Sequence, residues 1–393
     1  MRIKKLNTEI SSKINRSLVL GQIHRHPLIS RVELAGRTGL DRSAITHILN
    51  DLLKLGLVEE VKKGKAGARG GRCPIQLQIR ADAGSIGAVE IGLESVTGVL
   101  VDFDGKEKAR MTAPITRGEP LLDILIRFLD AFRRRYRALF TSVRILGVTC
   151  PGVVESARGR LLLNLYHGWK DVDVAEQLQQ RYAIPVLLEN DANAAALGEL
   201  HAHQQTSETP LQSLIYLFVR ESTPGSPSPL GVGGGLILNG RLWEGAHWCA
   251  GEVSQTINLV FSRIMQPLDK ARDARTSAAW TLTELLGASE RHETAALQAL
   301  DDIAGQIGKL LGEFAAFLDT EGVLVCIHPP EGKEPLLERI HAAFLKNYRS
   351  PVMPSIQFLR PLLGIRAPLE GVIRMGMDHV FIRDTTQNSV LFP

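Results

Sequence analysis

Ser30-Arg31-Val32-Glu33-Leu34-Ala35-Gly36-Arg37-Thr38-Gly39-Leu40-Asp41-Arg42-Ser43-Ala44-Ile45-Thr46-His47-Ile48-Leu49-Asn50 holds two helix starts and one helix stop in close succession. Ser30 and Glu33 form the capping-box pattern, in which the hydroxyl accepts a first-turn N–H and the carboxylate reaches back to the cap. Gly39 suits the left-handed conformation in which helices end, and Asp41 caps a second helix almost at once. The spacing therefore predicts helix, tight turn, helix. In the second helix Ile45, Ile48, Leu49, Leu52 and Leu53 share one face, and Arg42, Ser43, Thr46, His47 and Asn50 lie opposite. Short, donor-rich side chains on a free helix face are what major-groove reading of double-stranded DNA requires.

Downstream, Leu57–Val61 and Ile75–Ile79 read as strands flanking Lys62-Lys63-Gly64-Lys65-Ala66-Gly67-Ala68-Arg69-Gly70-Gly71-Arg72, a basic, glycine-rich wing. Its glycines permit close approach to a duplex, and Arg69 and Arg72 suit a minor groove. Capped helix pairs occur in many helical domains, so the wing carries much of the weight for DNA. Charge agrees: residues 1–80 hold 16 Lys/Arg against 6 Asp/Glu, while the remainder holds 30 against 36. The whole-chain charge of +4 hides a strongly basic N-terminal domain, the footprint of phosphate binding.

At 393 residues and 44% hydrophobic content the chain can bury large cores in two or three domains. Cys73, Cys150, Cys249 and Cys326 are scattered without C-x-x-C spacing, so neither a disulfide framework nor a cysteine zinc site is expected. A reducing cytoplasm fits. The N-terminus is polar and no apolar run reaches the roughly 18–20 residues that span a bilayer, so a soluble protein without membrane contact is expected.

Beyond residue 80 strands and helices alternate. Ser85–Leu93, Val96–Phe103 and Lys108–Ile115 read as successive strands. A helix over Leu121–Leu139, a strand at Arg144–Thr149, a helix at Val174–Tyr182, a strand at Pro185–Glu189 and a helix from Ala192 follow. A second set runs from Ser213–Val219 through Gly233–Leu238, helices near 276–288 and 293–319, a strand at Val323–Ile327 and a helix at 333–348. A last helix near Leu369–Phe381 is expected to return to the first lobe. The expected domains are 1–80, 81–190 with 369–393, and 191–368.

Three ordered segments then carry a family resemblance: Gly147-Val148-Thr149-Cys150-Pro151-Gly152; Glu189-Asn190-Asp191-Ala192-Asn193-Ala194-Ala195-Ala196-Leu197-Gly198-Glu199; and Gly231 to Leu242, followed by Ala250-Gly251-Glu252. With the winged helix before them, they resemble the ROK family of repressors and sugar kinases, specifically its repressor branch of xylose and N-acetylglucosamine type. The resemblance implies an α/β, two-lobed, actin-like (ribonuclease-H-like) ATPase-type domain. It also implies a monosaccharide effector in the interlobe cleft and a homodimer or dimer of dimers.

A sugar hydroxyl donates and accepts at once, so a carboxylate beside an amide fixes it well, and Asn190-Asp191 supplies both. In isolation the same pair reads as a helix cap. The resemblance makes Asp191 the position of the kinase general base, here vestigial, and makes Glu252 a second sugar-holding carboxylate. Asn164 and Trp169 resemble further cleft-lining positions.

Departures from the family pattern oppose catalysis. Where the first phosphate loop reads Asp-x-Gly-Gly-Thr, this chain has Glu90-Ile91-Gly92-Leu93-Glu94-Ser95, which sets an acid in the path of a triphosphate. The second loop, normally Gly-Thr-Gly, is interrupted by Arg220–Leu230 with three prolines. The zinc pattern Glu-x-Gly-His becomes Glu252-Val253-Ser254-Gln255, and the apolar run Thr256–Arg263 replaces the cysteine-rich loop. His247 and Cys249 are too few for a metal site, and loss of the metal loop puts the placement of Glu252 in doubt. No cofactor is expected. The leading expectation is a sugar-responsive regulator that binds an operator. The alternatives are a residual sugar kinase, or a DNA-binding regulator whose cleft contacts a protein instead.

Overall fold

The computed structural model describes residues 2–63, 75–206, 211–222, 228–271, 280–328, 334–348 and 356–383. The chain opens with α1 (Arg2–Arg25), β1 (Ile29–Ser30), α2 (Arg31–Thr38), α3 (Arg42–Lys54), β2 (Val58–Lys63) and β3 (Ile75–Ile79), whose strands pair in the order β1-β3-β2. Local chemistry fixes this unit. Glu33 N donates to Ser30 Oγ and Ser30 N donates to Glu33 Oε2, Gly39 closes α2 at φ 71°, and Asp41 Oδ1 accepts Ala44 N at 2.8 Å. Leu34, Ile45, Leu49 and Leu52 are buried with Val19, Leu20 and Ile23 of α1.

Next come β4 (Ser85–Ile91), β5 (Ser95–Asp102), β6 (Glu107–Pro114), α4 (Leu121–Arg135), α5 (Arg137–Phe140) and β7 (Val143–Cys150). Three short strands follow, β8 (Val153–Glu155), β9 (Arg160–Asn164) and β10 (Trp169–Asp173), then α6 (Val174–Tyr182) and β11 (Val186–Asn190). The main sheet has the order β11-β7-β4-β5-β6, with β7 parallel to both neighbours, and β8–β10 form a small antiparallel sheet. Apolar residues of α4 and α6 cover one face of the main sheet.

After α7 (Asp191–Thr206) come β12 (Leu214–Glu221), β13 (Leu230–Leu238), β14 (Arg241–Leu242), α8 (Ser254–Ala271), α9 (Leu282–Glu290) and α10 (Thr294–Leu318). The chain continues with β15 (Gly322–His328), α11 (Glu334–Asn347), β16 (Gln357–Leu359), α12 (Ala367–Asp378) and a π-helical turn, His379–Arg383. This second sheet has the order β14-β13-β12-β15-β16. The whole is a mixed α/β chain: a winged helix followed by two five-stranded sheets.

The final helix joins the parts. Val372 lies against Gly147 of β7, Gly376 against Ile86 of β4, and Gly371 against Ala194 of α7. The turn after it reaches α1, where His24 stacks on Phe381 with ring centroids 4.5 Å apart. One continuous core runs from Val19, Leu34 and Ile48 to Ile86, Ile145, Val372 and Phe381. The winged helix is therefore packed onto the first sheet and not merely tethered to it.

Candidate functional site

The polar face of α3 is free. Arg42, Ser43, Thr46, His47 and Asn50 are all exposed, and Ile45, Ile48 and Leu49 are buried behind them. Two hydroxyls bond within their own element: Ser43 Oγ donates to Asp41 Oδ1 at 2.7 Å and Thr46 Oγ1 to Arg42 O at 2.8 Å. Arg42 has the longest reach on that face, with His47 and Asn50 beside it. Arg69 and Arg72 lie outside the described residues.

At the other end of the chain's architecture, the C-terminal ends of β4, β7 and β11 converge. Glu90 pairs in register with Thr149, and Asn190 with Cys150. Asp191 opens α7 at this point, where unsatisfied helix N–H groups favour an anion, and its Oδ1 accepts Ala192 N at 2.9 Å. Asn190 Oδ1 accepts Asn193 N at 3.0 Å and its Nδ2 donates to Gly152 O at 2.8 Å. The cap and a loop tether are therefore both real, leaving one amide hydrogen and one lone pair of Asn190 for a ligand.

The second sheet meets α7 through glycines. A Cβ on Gly233 would sit 2.8 Å from Ala192 Cβ, one on Gly235 2.9 Å from Ala192 O, and one on Gly234 2.6 Å from Gly251 O. The glycine run is a strand whose missing side chains admit α7 and the Gly251 turn, not a tight turn. Glu252 follows that turn, with part of the residue open to solvent and its carboxyl largely desolvated. Its support differs from a metal loop: the apolar run after it is part of the helix α8, with Ile257, Phe261 and Met265 in the core of the second lobe. Asn258 holds β13 from that helix, accepting Leu230 N at 2.9 Å and donating to Leu230 O at 3.0 Å.

Electrostatically the site centres on Asp191. Burial raises its carboxyl pKa, while Arg220 and the helix N–H groups oppose the rise. Glu90 is pushed up to about 7, by burial first and by Asp191 next, against the pull of Arg220. Glu252 is raised by burial and by Asp191. Gly251, the neighbour of Glu252, rests on Gly234, and the adjoining Gly233 touches Ala192, which brings the Glu252 turn to the first turn of α7.

Two expected cleft residues take other places. Trp169 is 5% exposed, stacks on His167 at 4.1 Å and donates its ring N–H to Glu119 O at 2.7 Å, deep in the first-lobe core. Asn164 is 4% exposed, donates to Pro151 O at 2.8 Å and accepts His167 N at 2.7 Å, so it braces the Pro151-Gly152 loop that Asn190 also holds. Both side chains are buried with hydrogen bonds already made inside the first lobe.

Sequence reasoning missed the carboxylates behind the site. Glu189, 1% exposed, accepts Asn190 N at 2.8 Å, Asn193 Nδ2 at 3.1 Å and Ser156 Oγ at 2.9 Å. Glu199, wholly buried on α7, accepts Leu362, Leu363 and Gly364 N–H groups. The Glu189 spacing to Asn193 was a readable signal, whereas the partners of Glu199 lie over 160 residues away. Among the described residues no three His, Cys, Asp or Glu gather as metal ligands, and no helix is long and apolar enough to cross a membrane.

Comparison with known proteins adds three findings. A model described as ROK family matches residues 86–257, and one described as MarR family matches residues 13–69. A xylose repressor of Caldicellulosiruptor bescii is 30% identical over 64% of this chain but only 60% of its own length, and one of Bacillus subtilis is 24% identical over 93% of this chain and 96% of its own. In fold, the chain is similar to the crystal structure of a ROK family transcriptional regulator, a homolog of the E. coli MLC protein. That likeness has a TM-score of 0.75 at 19% identity and covers 97% of this chain and 99% of the other.

Proposed function

We propose that this chain, which carries a ROK domain behind a MarR-type winged helix, is a cytoplasmic, sugar-responsive transcriptional repressor. The observation that carries this reading is the meeting of Asn190, Asp191 and Glu252 beside a helix N-terminus whose helix, α7, packs on α12 and thereby on the winged helix. A neutral polyol held there by carboxylates and an amide would alter the fit between the sheets, and α12 would transmit that change to the reading helices. A homodimer would present two α3 helices to a palindromic operator, and Arg42, Ser43, Thr46, His47, Asn50, Arg69 and Arg72 would make its contacts. The enzymatic alternative lacks support from the residues at the first phosphate loop, where Glu90 and Glu94 stand.

The relatives are named for xylose, which places that sugar first in a ligand panel. The test measures binding of the full-length protein to DNA from upstream of its own gene, with and without D-xylose and other monosaccharides. A sugar that changes operator affinity, with no sugar-dependent consumption of ATP, supports the reading. Operator binding that no sugar alters, with no sugar shifting the melting temperature, sinks the sensor.

A further inference from the structure

Arg220 stands where the two sheets meet. It is the penultimate residue of β12, paired across the strand with Gly231, and its side chain lies over that glycine: a Cβ at residue 231 would be 2.8 Å from Arg220 Nε and 3.0 Å from its Cγ. Two residues earlier on β12, Phe218 pairs with Gly233, the glycine that touches Ala192 beside Asp191. This register carries the guanidinium from the second sheet toward the first turn of α7, with the Phe218 ring 5.8 Å below it. Arg220 Nε is buried and has no hydrogen-bond partner. Among the described residues no carboxylate forms an ion pair with it, although Asp191 and Glu90 both feel its charge.

The groups that act on or feel Asp191 come from several elements. Glu90 on β4, Cys150 on β7, Tyr216 on β12 and Glu252 after the Gly251 turn are each made harder to ionise by Asp191, beyond the effect of burial. Arg220 is the cation that opposes the rise at Asp191 and at Glu90. An isolated carboxylate cluster of this kind would take up a proton, and a protonated Asp191 is a poor acceptor for a ligand hydroxyl.

We propose that Arg220 is a positioning residue, the built-in counter-ion that keeps Asp191 a carboxylate and so keeps the ligand clamp competent across the two lobes. Gly231 belongs to the same device, since its bare Cα gives the guanidinium its lane. The proposal rests on the sensor reading only for the identity of the ligand; the charge relationship between Arg220, Asp191 and Glu90 stands without it.

The test uses the full-length wild type and the variants Arg220→Gln, Arg220→Lys and Gly231→Ala, each with two readouts. The first follows the side-chain carboxyl signals of ¹³C-labelled Asp and Glu against pH without sugar. In Arg220→Gln the Asp191 and Glu90 midpoints move upward, Arg220→Lys stays near wild type, and Gly231→Ala, which keeps the charge but displaces it, moves in the same direction as Gln. Unchanged midpoints in folded Arg220→Gln overturn the proposal. The second measures D-xylose affinity between about pH 5.5 and 8.5: Arg220→Gln loses about tenfold at the acid end and recovers at the alkaline end. A loss of equal size at every pH overturns the counter-ion role, because a merely structural defect has no reason to titrate. A wild type that does not bind D-xylose counts against that ligand, and the carboxyl midpoints then decide the role of Arg220 by themselves.

Discussion

Gly371 of α12 lies so close to Ala194 of α7 that a Cβ on it would come within 1.7 Å of the Ala194 carbonyl oxygen. Three residues before Ala194 on α7 is Asp191, and α12 runs on to the turn that bears Phe381, stacked on His24 of α1. The approach of these two helices, which only glycine allows, therefore joins the candidate clamp to the reading head.

Gly371→Ala should destabilise the protein by more than about 2 kcal/mol, since neither backbone can yield without moving its sheet. Gly305 of α10 has open space around its Cα, and Gly305→Ala should instead stabilise by about 0.5–1 kcal/mol. Urea unfolding of both variants checks the contrast; equal effects would show that the α7–α12 contact is not tight.

Arg42→Ala and Asn50→Ala should each weaken specific operator binding by about 1–3 kcal/mol while leaving the melting temperature within a degree or two. Fluorescence anisotropy with specific and scrambled duplexes separates base reading from phosphate contact. A uniform loss on both duplexes would move the residue from reading to backbone contact.

Asp191→Asn should abolish the response of operator affinity to sugar but retain DNA binding. The amide keeps the size and a cap-capable oxygen, so α7 still starts there, but the charged acceptor is gone. Calorimetry with D-xylose and a DNA titration on the same sample measure the two halves of the claim. A normal sugar response would leave Asp191 as a helix cap only.

Stability should fall as the solution is acidified from about pH 6.5 towards 4. His24 and His201, which line a groove of about 630 Å³ between α1, β3, α7 and α12, are each held down to about 4 by burial first and by Arg374 next. His201 Nε2 faces two donors, Gln205 Nε2 at 2.9 Å and Arg374 Nη1 at 3.3 Å, so it accepts and the ring is neutral. The unfolded chain binds these protons near the ordinary histidine value, so the stabilisation is full above that value and is lost as pH falls through about 4. Thermal melts of wild type and His201→Gln check it: the variant should lose on the order of 1–3 kcal/mol less over that interval.

Legibility followed the range of the interactions. The caps at Ser30, Gly39 and Asp41, the buried face of α3 and the strand Ile75–Ile79 were readable because each rests on residues a few positions apart. The helix α8 was not, since Thr256–Arg263 reads as an apolar run until Ile257, Phe261 and Met265 find a core to face. Strand β8 has only three residues, and β9 reads Arg-Leu-Leu-Leu-Asn without the alternation that marks a strand.

The sequence by itself determined the winged helix, the alternation of strands and helices, and the Asn190-Asp191 pair at the head of α7, because propensity, capping and periodicity are local. Tertiary structure alone decided which polar groups remain available. It buried Trp169 and Asn164 with their hydrogen bonds already made, laid Arg220 over Gly231 two positions from the glycine that meets α7, and closed α7 onto α12 at Gly371. Burial, close approach and shared charge depend on which distant segments meet, and no local pattern encodes that meeting.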